Sequence, residues 1–374
     1  GIDEAGTETQ LIAWDWGWPD AATPDAIALL PKDVTLMSVS EWSIPIQRGG
    51  IDTIVGEYSI STVGPGPRAT KHWELAREHG LKTLAKVQAG NTWELSAIPY
   101  IPALENVADH ASRLRKAGVD GLMLGWTLGG YPSPNLEVFA EMGYGEEAPD
   151  IGEVLRIVAE RRFGTSAAPE VVKAWRAFSA AFREYPYHIG TVYSGPQQMG
   201  PANPLWARPT GYTATMVGFP YDDLDRWRSV YPAEVFTAQF EKMADGFDTA
   251  LAELKEKTAD IEITISQRAL LDAELWVAEA CAIHLRSVAN QCAFVLARRA
   301  IEAGEKTAIG AAEHALRSEL DLAVRLFGIQ HQDSRIGFEA TNHYFYIPQD
   351  LAAKVINCRD LLDRWIPAQR AHLQ

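Results

Sequence analysis

The sequence predicts an α/β protein: the later strands of a (β/α)₈-type barrel over residues 1–135, followed by a mainly α-helical domain over residues 136–374. Two observations carry this expectation. Short apolar runs alternate with helical stretches in the first third of the chain, and after about residue 135 helical spacing replaces them. A third observation bounds it: 374 residues exceed one ordinary compact domain, so two are expected.

The strand candidates are Leu11–Asp15, Val34–Val39, Ile54–Ile60, Leu81–Val87 and Gly121–Trp126. Gly, Pro or Asp bounds each run, the pattern of buried parallel strands. Thr23 or Asp25 caps a short helix ending near Leu30. Arg68–His79 stops at Gly80 and Leu104–Ala117 at Gly118, glycines placed to end a helix in the left-handed conformation. Ser43–Asp52, with Pro45 and Gly49-Gly50 inside, is too short for a helix and reads as an extended excursion or a hairpin. Four or five parallel strands do not close an eight-stranded barrel. Either the sheet is open, or the first half of the barrel lies outside this chain. The abrupt start at Gly1 fits a removed leader or an absent upstream domain. The protein partners this suggests are an upstream half-barrel or a second copy of the chain.

Beyond residue 135, helical spacing runs through Asp150–Phe163, Ala168–Tyr185, Pro232–Lys257, Ile265–Ala303, Lys306–Phe327 and Pro348–Leu373. Between the second and third lies Pro186–Tyr231, rich in Gly and Pro. A loop of that length in a compact domain is functional or packed across a neighbour.

A formal charge of −15 repels phosphate backbones and anionic lipid, and there is no run of Lys and Arg, so nucleic acid and membrane are not expected partners. No stretch reads as long enough to span a bilayer and no signal peptide is evident. The compartment stays open, with periplasmic or extracellular placement ahead of cytoplasmic. Cys281, Cys292 and Cys358 lie in helical stretches without a CxxC pair and read as small buried hydrophobes. Their odd number argues against a disulfide framework.

Barrel chemistry sits at the C-terminal ends of strands. Trp14-Asp15-Trp16-Gly17-Trp18 follows the first run, and Glu41-Trp42 the second. Glu57 and Tyr58 stand near the third; Gln88, Asn91, Trp93 and Glu94 follow the fourth; Trp126 ends the last, before Gly129-Gly130-Tyr131. Unpaired carboxylates are costly in a core, so such a ring is better explained by a polar cleft with aromatic walls. That suits carbohydrate: indoles stack on sugar C–H faces, and carboxylates and amides hold hydroxyls. Cleaving a glycosidic bond needs an acid and a base or nucleophile. Glu41 and Glu57 are the expected catalytic pair. Asp15, Trp16, Trp42, Tyr58, Asn91, Trp93, Glu94 and Trp126 are the expected substrate contacts.

Each residue also has a structural explanation. Asp15 caps the following loop, Glu57 pairs with Arg48 or Arg68, Glu94 opens a helix as a capping-box partner, and the tryptophans fill a core. No cofactor is expected: Val63–Arg68 carries two prolines that remove N–H donors and matches no phosphate-binding pattern. No metal is expected either, because His343 with Glu339 lacks a third ligand. Val192–Pro196, continuing through Gly200–Asn203, and Ile336–Tyr344 are dense in polar and aromatic groups. They either fold over the barrel mouth or fasten the two domains.

Together, Trp14–Trp18, Gly56-Glu57-Tyr58-Ser59, Asn91–Glu94 and Gly125-Trp126-Thr127-Leu128-Gly129-Gly130-Tyr131 resemble the later strands of bacterial glycoside hydrolases. The nearest likeness is to barrels of the β-N-acetylhexosaminidase (family 20) and α-glucuronidase kind. The resemblance implies a glycosidase, possibly hexosaminidase-like in chemistry. The paired Asp-Glu that hexosaminidases carry on a middle strand has no counterpart here, as an absent first half-barrel would produce. Two other classes stay open: a carbohydrate-binding barrel that does not cut, and a lyase or isomerase with Lys86 as base.

Overall fold

The computed structural model describes residues 4–126, 128–145, 148–339 and 343–373. Four strands form a parallel sheet in the order β1 (Ile12–Trp14), β2 (Thr35–Val39), β5 (Lys82–Lys86), β6 (Gly121–Met123). A separate antiparallel hairpin joins β3 (Pro45–Arg48) to β4 (Ile51–Ile54). It fulfils the excursion expected for this stretch, whereas the third expected strand, Ile54–Ile60, does not form: β4 ends at Ile54 and the following residues are irregular. Their polar groups are held by side chains instead of a ladder, as described below.

Helices α1 (Thr23–Leu29), α2 (Pro67–Glu78) and α3 (Leu104–Ala117) connect the strands. Pro67 sits at the first position of α2, where its missing N–H is no loss. Gly118 ends α3 at φ 66°, as its sequence position suggests. β2 is buried along its whole length, covered by α2 on one side. The outer strands are partly open, with Ile12 52% and Leu122 40% exposed. The sheet among the described residues is therefore open-edged, and a closed barrel is not seen.

Helices dominate the rest. They run α4 (Pro134–Gly143), α5 (Ile151–Phe163), α6 (Ala168–Phe182), α7 (Ile189–Ser194), α8 (Leu224–Trp227), α9 (Ala233–Thr258), α10 (Ile265–Glu302), α11 (Ala308–Gln332), α12 (Pro348–Asp360) and α13 (Ile366–His372), with a π turn between the last two. Asp150 caps α5 through the N–H groups of Gly152 and Glu153, and Thr264 with Gln267 forms a capping box at α10. α10 packs against α9 and α11, and most of its residues from Val277 onward are buried. Contrary to the sequence expectation, α10 is long and apolar enough to cross a membrane, but 83% of its most apolar stretch is buried inside the protein. The short hairpin β7 (Phe338–Glu339) and β8 (His343–Tyr344) precedes α12.

One apolar cluster runs without a break from Val87 and Trp93 beside the sheet, through Phe178 and Trp175, to Leu285 and Leu326. The sheet and the first helices of the C-terminal part therefore share a core. All three cysteines are free and buried, as expected of small hydrophobes.

Candidate active site at the sheet rim

A parallel sheet puts the C-terminal ends of its strands on one rim. Here Trp14 ends β1, Glu41 follows β2, Lys86 ends β5 and Trp126 follows β6. These residues meet. The rings of Trp14 and Trp126 lie 5.2 Å apart, and those of Trp14 and Trp16 5.8 Å. The Lys86 ammonium stands 5.1 Å from the centre of the Tyr58 ring and 5.9 Å from that of Trp126. The Trp126 backbone N–H donates to Gln88 Oε1 at 2.9 Å. Gly129 then crosses the end of β5 so closely that a Cβ there would stand 2.9 Å from the Asn91 amide nitrogen, and its φ is +70°. Glycine is needed at that crossing.

Glu57 faces this aromatic floor. It accepts a hydrogen bond from Trp16 Nε1 at 2.8 Å on one oxygen and from the Tyr193 hydroxyl on the other. Neither Arg48 nor Arg68 pairs with it: Arg48 donates to Gln47 and Thr62, and Arg68 to Asp15 and Asp20. Trp16 and Trp126 are 48% and 54% exposed, a stacking surface open to solvent.

Glu41 lies one layer deeper and is fully buried. Burial holds its carboxyl well above the ordinary carboxylate range; the backbone of Glu41 and of Ser59 favours the charged form, and Glu94 opposes it. Neither carboxyl oxygen completes a hydrogen bond among the described residues. His110 Nδ1 stands 3.8 Å away, but burial depresses that imidazole to about 3, so it carries no charge to offer. Lys86 is also fully buried, and its ammonium completes no hydrogen bond among the described residues. Desolvation pushes its ammonium down to about 8, against the pull of Glu41 and then Glu57. Burial raises the phenols of Tyr58 and Tyr193, and both feel Glu57.

The remaining expected contacts belong to the framework. Asp15, placed by sequence against the sugar, is buried under the rim, where Ser38 Oγ and His72 Nδ1 each approach one oxygen at 2.7 Å and Arg68 the other at 3.2 Å. Trp42 lies half-buried beneath the Arg68 guanidinium, 4.7 Å from its ring centre. Asn91 closes its own loop by donating to Ile98 O and accepting from Thr92 N. Trp93 is core, and its carbonyl accepts from Gln198. Glu94 opens no helix. It accepts from Ser59 Oγ (2.8 Å), Ile60 N (2.7 Å), Ser61 Oγ and Thr92 Oγ1 (2.7 Å), which pins the irregular 57–62 segment to the 91–96 loop. That one carboxylate replaces the ladder of the strand expected there. Glu94 is saturated by these donors, Asp15 is held by Ser38, His72 and the Arg68 ion pair, and Asn91 also lines the cleft described below, so these groups shape the rim.

Lys86 and Tyr193 complete the rim but were not among the expected site residues. Lys86 had a signal: a lysine inside an apolar run that the pleat turns inward. Tyr193 lies 136 residues from Glu57, and no local pattern announces that meeting. Its segment does both jobs considered for it, since Tyr193 reaches the rim while Gln198 ties the region to Ser96 and Trp93. Of the second segment, Gly337 N donates to Ala97 O at 2.7 Å, and Phe338 with Tyr131 and Trp126 lines an apolar cleft of about 300 Å³ beside the rim. Ala340, Thr341 and Asn342 of that segment, and Thr127 of the Gly125–Tyr131 run, lie outside the described residues. Among the described residues, no three His, Cys, Asp or Glu side chains gather in a way that could hold a metal ion.

No family model matches the chain, and no curated protein matches it. A solved structure described as a GH138 enzyme targeting pectin rhamnogalacturonan II superposes on 98% of this chain with a TM-score of 0.55 at 10% sequence identity. The chain spans 58% of the length of that protein. The likeness is one of fold.

Proposed function

We propose that this chain is a glycoside hydrolase acting on an exposed sugar at the sheet rim, with Glu57 and Glu41 as its two reacting carboxyl groups. One observation carries the reading. Buried polar atoms without partners among the described residues gather at this rim: both Glu41 oxygens, Lys86 Nζ, the Tyr58 hydroxyl, Trp14 Nε1 and Gln88 Nε2. Unmet buried groups cost stability and call for a functional explanation. They adjoin an open surface of indoles, the setting that binds a sugar.

Two carboxyls in unlike environments suit the two halves of acid–base cleavage. Glu57 accepts hydrogen bonds from two neutral donors, the arrangement of a charged base or nucleophile. Glu41, kept protonated by burial, is the proton donor of the pair. The four parallel strands are, in this reading, the later part of a (β/α)₈-type barrel that continues beyond the open edges of β1 and β6. A hexosaminidase-like substrate preference is the finer form of the proposal.

The test is cleavage of a panel of aryl glycosides, N-acetylhexosaminides included, and of plant cell-wall oligosaccharides of the kind the GH138 neighbour is described as targeting. Cleavage by the wild type that E57Q abolishes supports the reading; cleavage unchanged in both E57Q and E41Q ends it. A second reading, sugar binding without hydrolysis, is favoured by the complete burial of Glu41, which leaves Glu57, 8% exposed, as the more accessible carboxylate of the two. Binding in calorimetry with no product formed would select it.

A further inference from the structure

We infer that the cleft walled by Trp126, Tyr131 and Phe338 takes the leaving group of the substrate, and that this group is an apolar ring. The substrate class is then a glycoside of an aromatic alcohol. Calling the occupant a leaving group rests on the glycosidase reading of the rim; its apolar character rests on the cleft alone. Rim and cleft share a wall. Trp126, whose ring lies 5.2 Å from that of Trp14 on the rim, also lines the cleft. The space beyond it measures about 300 Å³. Small-ligand pockets begin at about that size, and an apolar cavity of roughly half that volume holds benzene. A sugar resting on Trp16 and Trp126 therefore has room for one further ring beside it. The walls are fixed from outside: Phe338 stacks on Tyr344 with ring centres 4.3 Å apart, and the Arg335 guanidinium stands 5.8 Å from the centre of the Tyr131 ring.

Two observations select a hydrocarbon ring over a second sugar. The first is the lining. Ile98, Leu124 and Leu136 join the three rings. Asn91 and Ser96 also reach the cleft, but their donor hydrogens are committed: Asn91 Nδ2 donates to Ile98 O and Ser96 O, and Ser96 Oγ to Gln198 Oε1. Glu339 borders it and is buried. The buried polar atoms without partners that mark the rim belong to other residues than these. A second sugar would set hydroxyls against hydrocarbon, and each one left unmet opposes binding. An apolar ring makes no such demand and gains by leaving water. The second observation is Gly130. It lines the cleft, its backbone is not left-handed, and a Cβ added there would meet no atom within 4 Å. Gly129 is required by the crossing of two backbones; neither turn geometry nor packing requires Gly130. What its missing side chain leaves is open space at the wall of the cleft.

The experiment compares the benzyl and methyl glycosides of a sugar that the full chain cleaves. Both leaving groups are unactivated alcohols, so the pair differs by the ring and not by ease of departure. In the wild type kcat/KM is expected to favour the benzyl glycoside by about tenfold or more, the worth of burying one aromatic ring. G130L puts a side chain into the open space and should bring the ratio close to one. Thermal melting reports folding, and F338A, which removes one ring face, replaces G130L should the latter not fold. Equal kcat/KM values in the wild type, or an unchanged ratio in a folded variant, overturn the inference and leave the glycosidase reading standing. Benzyl alcohol alone tests the cleft without any cleavage. In ¹⁵N NMR of the full chain it should shift the Gly125, Gly129 and Gly130 amides saturably, and G130L should weaken that binding by about tenfold or more. No saturable shift, or shifts from a free hexose in place of benzyl alcohol, would overturn the apolar assignment. If the wild type cleaves no glycoside but binds benzyl alcohol at these amides, the glycosidase reading fails and the apolar cleft stands.

Discussion

Two lysines of this chain are equally buried and differently treated. Lys354, on α12, donates to Asn203 O at 2.6 Å and to Glu319 Oε2 at 2.7 Å. Glu319 in turn accepts from Ser287 and Asn290, each at 3.0 Å, and the network joins α10, α11 and α12. Lys86, at the sheet rim, completes no hydrogen bond among the described residues and has Glu41, itself without one, beside it. The helical region uses a buried charge to fix how helices pack. The rim holds its charges unpaired, and that open capacity is what a ligand or a reaction can use. Unmet need next to exposed indoles is what marks the site.

The contrast predicts different losses. E57Q should lower kcat by about 10²–10⁴-fold, the usual worth of a positioned acid or base, without changing the melting temperature. E319A should do the reverse. Removing one partner of a buried pair costs about 3–5 kcal/mol, because Lys354 would be left charged with no counter-charge and only the Asn203 carbonyl to accept from it. Urea unfolding of the two variants beside a cleavage assay checks both. A destabilised E57Q, or a fully stable E319A, would erase the distinction between rim and scaffold.

The sheet and the long helices were legible in the sequence because their signals are local. α3 forms over the predicted residues, and Gly118 ends it for the reason the sequence suggests. The strand expected over Ile54–Ile60 failed because apolar composition does not report what the backbone pairs with: Glu94 and its hydroxyl partners took that role. The same blindness divided the site residues. Glu41, Glu57, Tyr58, Trp16 and Trp126 gather as strand-end position suggested. Asp15 and Glu94, chosen on the same grounds, are held by neighbours that only the tertiary fold supplies: His72 and Arg68 for Asp15, Ser59 and Ser61 for Glu94. Tyr193 needed the long-range path of the Pro186–Tyr231 segment, for which no periodicity exists.

Glu41 and Glu94 sharpen the comparison through pH. Both are fully buried and both are raised by desolvation, but hydrogen bonds from Ser61, Ile60, Thr92 and Ser59 draw Glu94 back towards its charged form. Glu41 is raised well above the ordinary range, so between that range and its own midpoint the folded protein binds one proton more than the unfolded chain. Rising pH therefore erodes stability there, by about 1.4 kcal/mol per pH unit, and the erosion ends once the folded carboxyl ionises. E41Q has no such proton to lose. Its unfolding free energy relative to wild type should grow from pH 5 to pH 7, measured by urea titration at each pH. Parallel pH profiles would show Glu41 to be ionised at neutrality and unsuited to donate a proton.

The smallest expected effect separates the tryptophans. Trp126 is 54% exposed and touches Trp14 and the Lys86 charge, whereas Trp93 is 8% exposed within the shared core. W126A removes a stacking face while burying nothing new, so its stability should stay within about 0.5 kcal/mol of wild type, as for surface changes generally. A lost aromatic contact is worth about 0.5–1.5 kcal/mol, which at a sugar site reads as a rise in KM of up to roughly tenfold with kcat little changed. W93A should instead lower the melting temperature, because it empties a packed position. Should W126A leave KM untouched while W93A, still folded, raises it, the sugar would rest on the opposite side of the β5 loop and the exposed indoles would lose their assigned role.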